Sequence, residues 1–414
     1  MIKVFKFGGS SIKDVDNIKN VGNLLQQYHE EKLVIVFSAM GKVTNMLEEV
    51  VGAYTLQNGN EITALNKVKI FHNDILHHLF DKQDAIFNAV NNLFIEIEWV
   101  LEEAPNQHYA YYYDQIVSIG EFLSTKIMSA YLLQIGFENQ WIDVRDIIRT
   151  DNTYRNAKID WKLTAKLIDS HINHQHSITQ GFLGCTSENF TTTLGREGSD
   201  FTAAIFAYCL DATEVVIWKD VPGMMNADPK QFEGAKLLDK VSFDEAIELA
   251  FFGAKVIHPK TIQPLKKKNI PLKVKSFINA TDKGTLITEA EVISPQIPSY
   301  IIKENQVLIS ISDTNLSFIV ENHMSQIFHL FSKHSVRVNM MQNSAVSFSI
   351  CVDNDKHKIP NLLHDLQKDF KVFYNKGLSL YTVRHYTPES LEELLKNKTI
   401  ILEQKTRNTI QIVA

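Results

Sequence analysis

Cysteine is scarce in this chain, and there is no surplus of positive charge. The three cysteines, Cys185, Cys209 and Cys351, are far apart and fit neither a disulfide scaffold nor metal-ligand spacing. They read as buried free thiols in a reducing compartment. A formal net charge of −6 excludes generic attraction to nucleic acid or to an anionic membrane. Any polyanion must therefore be met by a few local lysines and arginines. The apolar runs stop well short of the roughly 18 residues that a membrane helix needs. The chain opens on a strand pattern, without the basic segment and apolar stretch of a signal peptide. Together these absences predict a cytoplasmic protein.

What is present is a globular composition, 44% hydrophobic and 22% charged over 414 residues. That length exceeds what one hydrophobic core serves, so two or three domains are expected. Runs rich in Val and Ile, such as Leu33–Phe37 and Val215–Trp218, alternate with helical patterns. This alternation predicts an α/β fold: a mostly parallel sheet with helices on both faces, in three layers. Between Glu61 and Leu101 apolar residues recur at helical spacing, which marks a helical insertion at about 60–115. Pro295 and Pro298 interrupt the pattern and suggest a boundary, with a first domain over 1–290 and a second over 300–414. The second reads as strand (Val307–Ser312), helix (Ser325–His334) and two strands (Val336–Met341, Val346–Val352). A helix (Lys358–Phe370) and a strand (Ser379–Arg384) complete a ferredoxin-like β-α-β-β-α-β unit. The remaining 390–414 holds a short helix and strands at Ile400–Leu402 and Thr409–Val413, a shortened second module.

Four clusters carry chemistry. Lys6-Phe7-Gly8-Gly9-Ser10-Ser11 follows the first strand directly. Glycines there let backbone N–H groups approach an anion, and Lys6 would stand over the same spot. Thr191–Thr202 holds Gly195, Arg196, Gly198, Ser199 and Asp200 just before a helical run. A helix start again offers N–H groups, and arginine binds carboxylates bidentately. Trp218–Lys230 is a strand that gives way to a turn-rich loop, the place where open α/β sheets bind ligands. Gly253–Pro259 contains Lys255 and His258; a solvent-facing lysine and a structural turn histidine are the plainer readings there.

Taken in order, these clusters resemble the aspartokinase branch of the amino acid kinase family. Phe37–Met40, Gly120-Glu121 and Gly181–Gly184 extend the likeness over roughly residues 1–290. The resemblance implies ATP-dependent phosphorylation of the side-chain carboxylate of L-aspartate to 4-phospho-L-aspartate. That is the first step of the pathway to lysine, threonine and methionine. It further implies catalytic roles for Lys6, Asp200 and Lys255, with Asp200 orienting Lys6 and Lys255 meeting the phosphates from the opposite side. ATP would lie along Gly8, Gly9, Ser10, Lys219, Asp220, Met225 and Lys230. The aspartate pocket would comprise Thr44, Glu121, Phe182, Arg196 and Ser199, with Arg196 on the α-carboxylate and Glu121 on the ammonium. Mg²⁺ would bridge phosphate oxygens with few direct protein ligands, and no metal-binding residues are assigned.

Several positions depart from the family pattern. Lys219 stands where threonine is usual, Met225 where an aromatic is common and Lys230 where arginine is common. Glu197 and Phe201 occupy glycine and tyrosine positions. The C-terminal unit resembles an ACT domain, a regulatory module that binds small ligands such as amino acids between copies. An amino-acid effector and a homodimer are therefore expected. Its first turn, Asp313–Asn322, lacks the usual glycine, and Asn339 replaces an aspartate of lysine-sensitive relatives. The alternatives are a catalytically weak amino-acid-sensing protein of the same fold, or a kinase for another amino acid carboxylate. An N-acylated acceptor would leave Glu121 without an ammonium to meet.

Overall fold

The computed structural model describes residues 1–254, 257–289, 293–314, 318–396 and 398–414. They form two compact units. The first comprises Met1–Met224, Leu237–Ile247 and Lys255–Ser294; the second comprises Met225–Lys236, Glu248–Ala254 and Pro295–Ala414. Two short segments from within 1–290 thus group with the C-terminal unit.

The first unit is built on an eight-stranded sheet. Its spatial order is Gln140–Ile142, His176–Gln180, Lys32–Phe37, Ile2–Phe7, Glu214–Lys219, Leu272–Ser276, Thr285–Thr288 and Lys240–Ser242. All neighbours run parallel except Leu272–Ser276 with Thr285–Thr288. The central strands are buried almost throughout. A sheet covered on both faces needs this near-continuous apolar sequence. Phe5, Phe7, Phe37 and Trp218 are fully buried, and Phe7 stacks on both Phe37 and Trp218. Each such side chain contributes roughly 1.5–3 kcal/mol by leaving water.

Helices Glu61–Leu79 and Ala85–Glu102 follow the expected helical stretch. Asp84 caps the second by accepting the Ile86 N–H. Tyr109–Gln134 is more apolar than the run lengths suggested and long enough to cross a bilayer, but most of it is buried inside the protein. Of the three free thiols, Cys185 and Cys351 are buried and Cys209 is half-buried.

The second unit carries a six-stranded antiparallel sheet. Its order is Val338–Asn343, Phe348–Asp353, Ser299–Asp313, Phe370–Arg384, Thr409–Val413 and Leu402–Lys405. The first four follow the ferredoxin-like order, and the last two extend the same sheet. Val307, Ile309 and Ile311 alternate toward helices Glu321–Lys333 and Lys358–Leu366 and share a core with Phe331 and Leu362. Two strands are much longer than their apolar runs predict. Ser299–Asp313 begins eight residues before Val307 and passes a register shift between Lys303 and Gln306, where Asn305 has φ +55°. Phe370–Arg384 begins at Phe370, so the preceding helix ends at Leu366 and not at Phe370.

Candidate active site

The parallel strands end on one edge of the sheet, and the side chains of interest gather there. Lys6 sits one residue before the end of Ile2–Phe7, and Lys219 closes Glu214–Lys219. Asp200 lies in the first turn of helix Gly198–Cys209. Its carboxylate is buried between two ammonium groups: Lys6 Nζ is 2.5 Å from Oδ1 and Lys219 Nζ is 3.4 Å from Oδ2. Burial pushes this carboxyl up, but the charges of Lys6 and Lys219 outweigh that and hold it below the usual carboxylate range. Asp200 is therefore ionised at neutral pH.

Glu121, in the first turn of Ile119–Gln134, behaves oppositely. Its side chain is fully buried. Oε1 accepts the Ala39 N–H at 3.3 Å, and Oε2 meets no hydrogen-bond partner among the described residues. Burial pushes its carboxyl up to about 8, against smaller opposing effects of the Ala39 N–H and Lys6. Near neutral pH it is therefore mostly protonated, and a cation brought beside it would favour the ionised form.

These groups line one cavity of about 470 Å³ together with Ser38, Thr44, Tyr113, Arg155, Phe182, Arg196, Glu197 and Ser199. Close backbone contacts shape it. Gly181 follows strand His176–Gln180, and a Cβ there would lie 2.5 Å from that of Ser199. Phe182 then adopts φ +72°, with its N–H donated to Thr202 Oγ1 at 2.9 Å. Gly9 opens a short helix, Gly9–Ile12, that no side chain caps. A Cβ on Gly9 would come within 2.6 Å of the Ala39 carbonyl oxygen, so only glycine lets the two turns approach.

Of the residues expected from sequence, the cavity unites Lys6, Thr44, Glu121, Phe182, Arg196, Ser199, Asp200 and Lys219. Gly8, Gly9 and Ser10 form the turn directly behind Lys6, and a Cβ on Gly8 would lie 3.5 Å from Lys6 Nζ. Asp220 is exposed next to Lys219. Met225 and Lys230 belong to the second unit. Lys255 lies outside the described residues. Sequence reasoning missed Tyr113 and Arg155. It also missed Asp114, a fully buried acid in the aromatic helix Tyr109–Val117. A lone aspartate among tyrosines was the available signal.

A second cavity of about 480 Å³ lies between helices Gly198–Cys209 and Pro259–Lys267, lined by Lys158, Trp161, Phe201, Tyr208, Lys260 and their neighbours. It contains cations and aromatics but no acid, so it lacks the opposed charges of the first. Among the described residues, no group of three or more His, Cys, Asp or Glu side chains is placed to hold a metal ion.

Comparison with known proteins bears on this arrangement. Residues 1–276 match the amino acid kinase family. The chain is 31% identical over 390 residues to lysine-sensitive aspartokinase 3 of Escherichia coli (strain K12), covering 92% of this chain and 86% of that protein. It is 32% identical over 390 residues to the chloroplastic aspartokinase 2 of Arabidopsis thaliana, covering 88% and 70% respectively. Among solved structures it resembles E. coli aspartokinase III in complex with aspartate and ADP in the R-state. That match has a TM-score of 0.84 and 28% identity, and covers 100% of this chain and 96% of that one. The complex of the same enzyme with lysine and aspartate in the T-state gives a TM-score of 0.85 at 28% identity, with the same coverage.

Proposed function

The chain belongs to the amino acid kinase family, on its aspartokinase branch, and from that premise we propose how its site works. It transfers the γ-phosphoryl group of ATP to the side-chain carboxylate of L-aspartate, giving 4-phospho-L-aspartate. The acceptor is already ionised near neutral pH, so the reaction needs no general base. The barrier is electrostatic, because two anions must meet and charge on the transferring group must be offset.

Lys6 is assigned to the β- and γ-phosphates, with Asp200 fixing its ammonium from behind. Lys219 shares the same carboxylate and adds a second positive charge on the nucleotide side. The N–H groups of Gly8, Gly9 and Ser10 would receive phosphate oxygens, as helix starts do. Asp220 and Lys255 complete the nucleotide side of the proposal on sequence grounds. Mg²⁺ would be held chiefly by phosphate oxygens and water, lowering the negative charge of the nucleotide. On the acceptor side, Arg196 pairs with the α-carboxylate, and Thr44, Phe182 and Ser199 shape the pocket. Glu121 ionises when it meets the substrate ammonium. The observation that carries this reading is the cavity itself, lined both by the Lys6–Asp200–Lys219 cluster and by Glu121, whose Oε2 has no hydrogen-bond partner among the described residues.

The second unit is proposed to regulate and to dimerise. Phe318, Met341, Val346 and Phe373 are exposed on it, which supports a homodimer through this unit. Its effector is a small amino acid, and Asn339 argues against lysine. The Asn339 amide donates to Gln306 Oε1 and Asp353 Oδ1, each at 2.9 Å, and its oxygen accepts from Lys303 at 2.9 Å. The three free thiols support a reducing, cytoplasmic setting.

The test is chemical trapping. With ATP, Mg²⁺ and L-aspartate, hydroxylamine should convert the acyl phosphate to a coloured hydroxamate. Absence of hydroxamate at saturating substrates would remove the assignment and favour a sensing protein that kept the fold.

A further inference from the structure

The cavity holds a cation that the assignment above leaves unused. Arg155 lines it on an unusual mount. Its backbone has φ +65°, the left-handed region that favours glycine. What holds an arginine there is Asp114, whose two oxygens accept the Arg155 N–H at 3.2 and 3.0 Å. The same buried carboxylate takes the N–H and hydroxyl of Thr193 at 2.8 and 2.7 Å, which fixes it to the strand before Arg196. The guanidinium lies over the Tyr113 ring, its central carbon 4.1 Å from the ring centre. Glu48 steadies one edge at 3.3 Å from Nη2, and the Tyr109 hydroxyl in turn donates to Glu48 at 3.2 Å. A Cβ on Gly195 would lie 3.2 Å from the Arg155 carbonyl oxygen, so the loops bearing Arg155 and Arg196 abut.

A planar guanidinium stacked on an aromatic ring is pre-oriented for in-plane, bidentate recognition of a carboxylate. Among the described residues, the protein takes one of its five N–H donors. Arg155 and Arg196 are the two guanidinium groups among the residues lining this cavity. We propose that Arg155 is a specificity-determining residue that binds the α-carboxylate of the acceptor jointly with Arg196. Its anchorage to Asp114 and Glu48 sets how far that carboxylate can lie from the phosphoryl group, and so selects a four-carbon over a five-carbon dicarboxylate. This inference rests on the aspartokinase reading and deepens it.

Arg155→Gly suits the test because glycine adopts the required backbone freely, and Arg155→Gln serves as a second variant that keeps the side-chain bulk. Hydroxamate formation is measured with L-aspartate, with its α-amide and with L-glutamate. Both variants should raise KM for aspartate about tenfold, the scale of one charge-assisted hydrogen bond. KM for ATP should hold within about twofold. The α-amide, which lacks the second carboxylate, should be used as well by the variants as by the wild type, and the ratio of glutamate to aspartate turnover should rise. An unchanged KM for aspartate, an equal loss on the α-amide or an unchanged glutamate ratio would overturn the proposal. Wild-type protein that forms no hydroxamate from aspartate would instead sink the aspartokinase reading.

Discussion

Replacing Glu121 by glutamine separates what this carboxyl costs the fold from what it does for the substrate. Burial moves it from 4.5 to about 8, which at about 1.36 kcal/mol per tenfold change corresponds to on the order of 5 kcal/mol. The sign follows from linkage. The folded protein holds this proton more tightly than the unfolded chain does. The stabilisation is therefore complete below the unfolded value and is lost as pH rises through about 8. Glutamine carries no such penalty, so Glu121→Gln should match the wild type near pH 4 and unfold on the order of 10 °C higher near pH 9. Substrate binding should change the other way. If the ammonium of aspartate requires an ionised Glu121, KM for aspartate in the wild type should fall roughly 50-fold between pH 6 and 8 and then level off. Of the neighbouring groups, Asp200 is held low and burial pushes the Tyr113 hydroxyl up to about 12. Burial also raises Glu197 and pushes Asp114 up to about 6, so the comparison with Glu121→Gln at each pH is what assigns the change to Glu121. The glutamine variant should lose this dependence and bind aspartate on the order of 100-fold more weakly than the wild-type plateau. Differential scanning calorimetry and steady-state kinetics at matched pH values test both halves. A wild-type KM that is flat from pH 6 to 9, or a glutamine variant as tight as the wild-type plateau, would refute the reasoning.

Three further outcomes follow from the structure. Lys6→Ala should lower kcat by on the order of 10²–10³, the scale of one preorganised charge contact. Lys219→Met should cost only about tenfold in kcat/KM, because its contact with Asp200 is longer and its side chain more open to water; equal losses in a steady-state comparison would erase the distinct role given to Lys6. L-lysine at millimolar concentration should not inhibit, since the Asn339 amide is already occupied by Gln306, Asp353 and Lys303. A sigmoidal lysine titration of the activity would contradict that.

Which parts of this molecule could be read from sequence depends on how local their causes are. Lys6 and Asp200 are 194 positions apart, yet each was legible. A lysine before a Gly-Gly turn and an aspartate at a helix start are each placed by their own few neighbours, and the parallel sheet does the rest by ending both on one edge. The helical stretch after residue 60 was legible in the same way, as Glu61–Leu79 and Ala85–Glu102. The ends of the long strands in the second unit were not. Lys303-Glu304-Asn305-Gln306 breaks the apolar run before Val307, and only pairing with Phe370–Arg384 across a bulge carries the strand through it. Phe370 deceived for the opposite reason: it follows Leu366 at helical spacing and joins the same core, although the chain has already turned.

Arg155 is the extreme case. Nothing in Tyr154-Arg155-Asn156 announces a left-handed backbone or a carboxylate reader. Its conformation is set by Asp114, which precedes it by 41 positions, and its orientation by Tyr113 and Glu48. Tertiary contacts here override a backbone preference that would by itself cost roughly 1–2 kcal/mol. Strain of that size persists where the surroundings over-determine the conformation, and four hydrogen bonds to one buried carboxylate do so here. Such a residue becomes visible only when φ, the anchoring acid and the cavity wall are seen together. The same juxtaposition makes it the sharpest candidate for what distinguishes this acceptor pocket from others built on the same sheet edge.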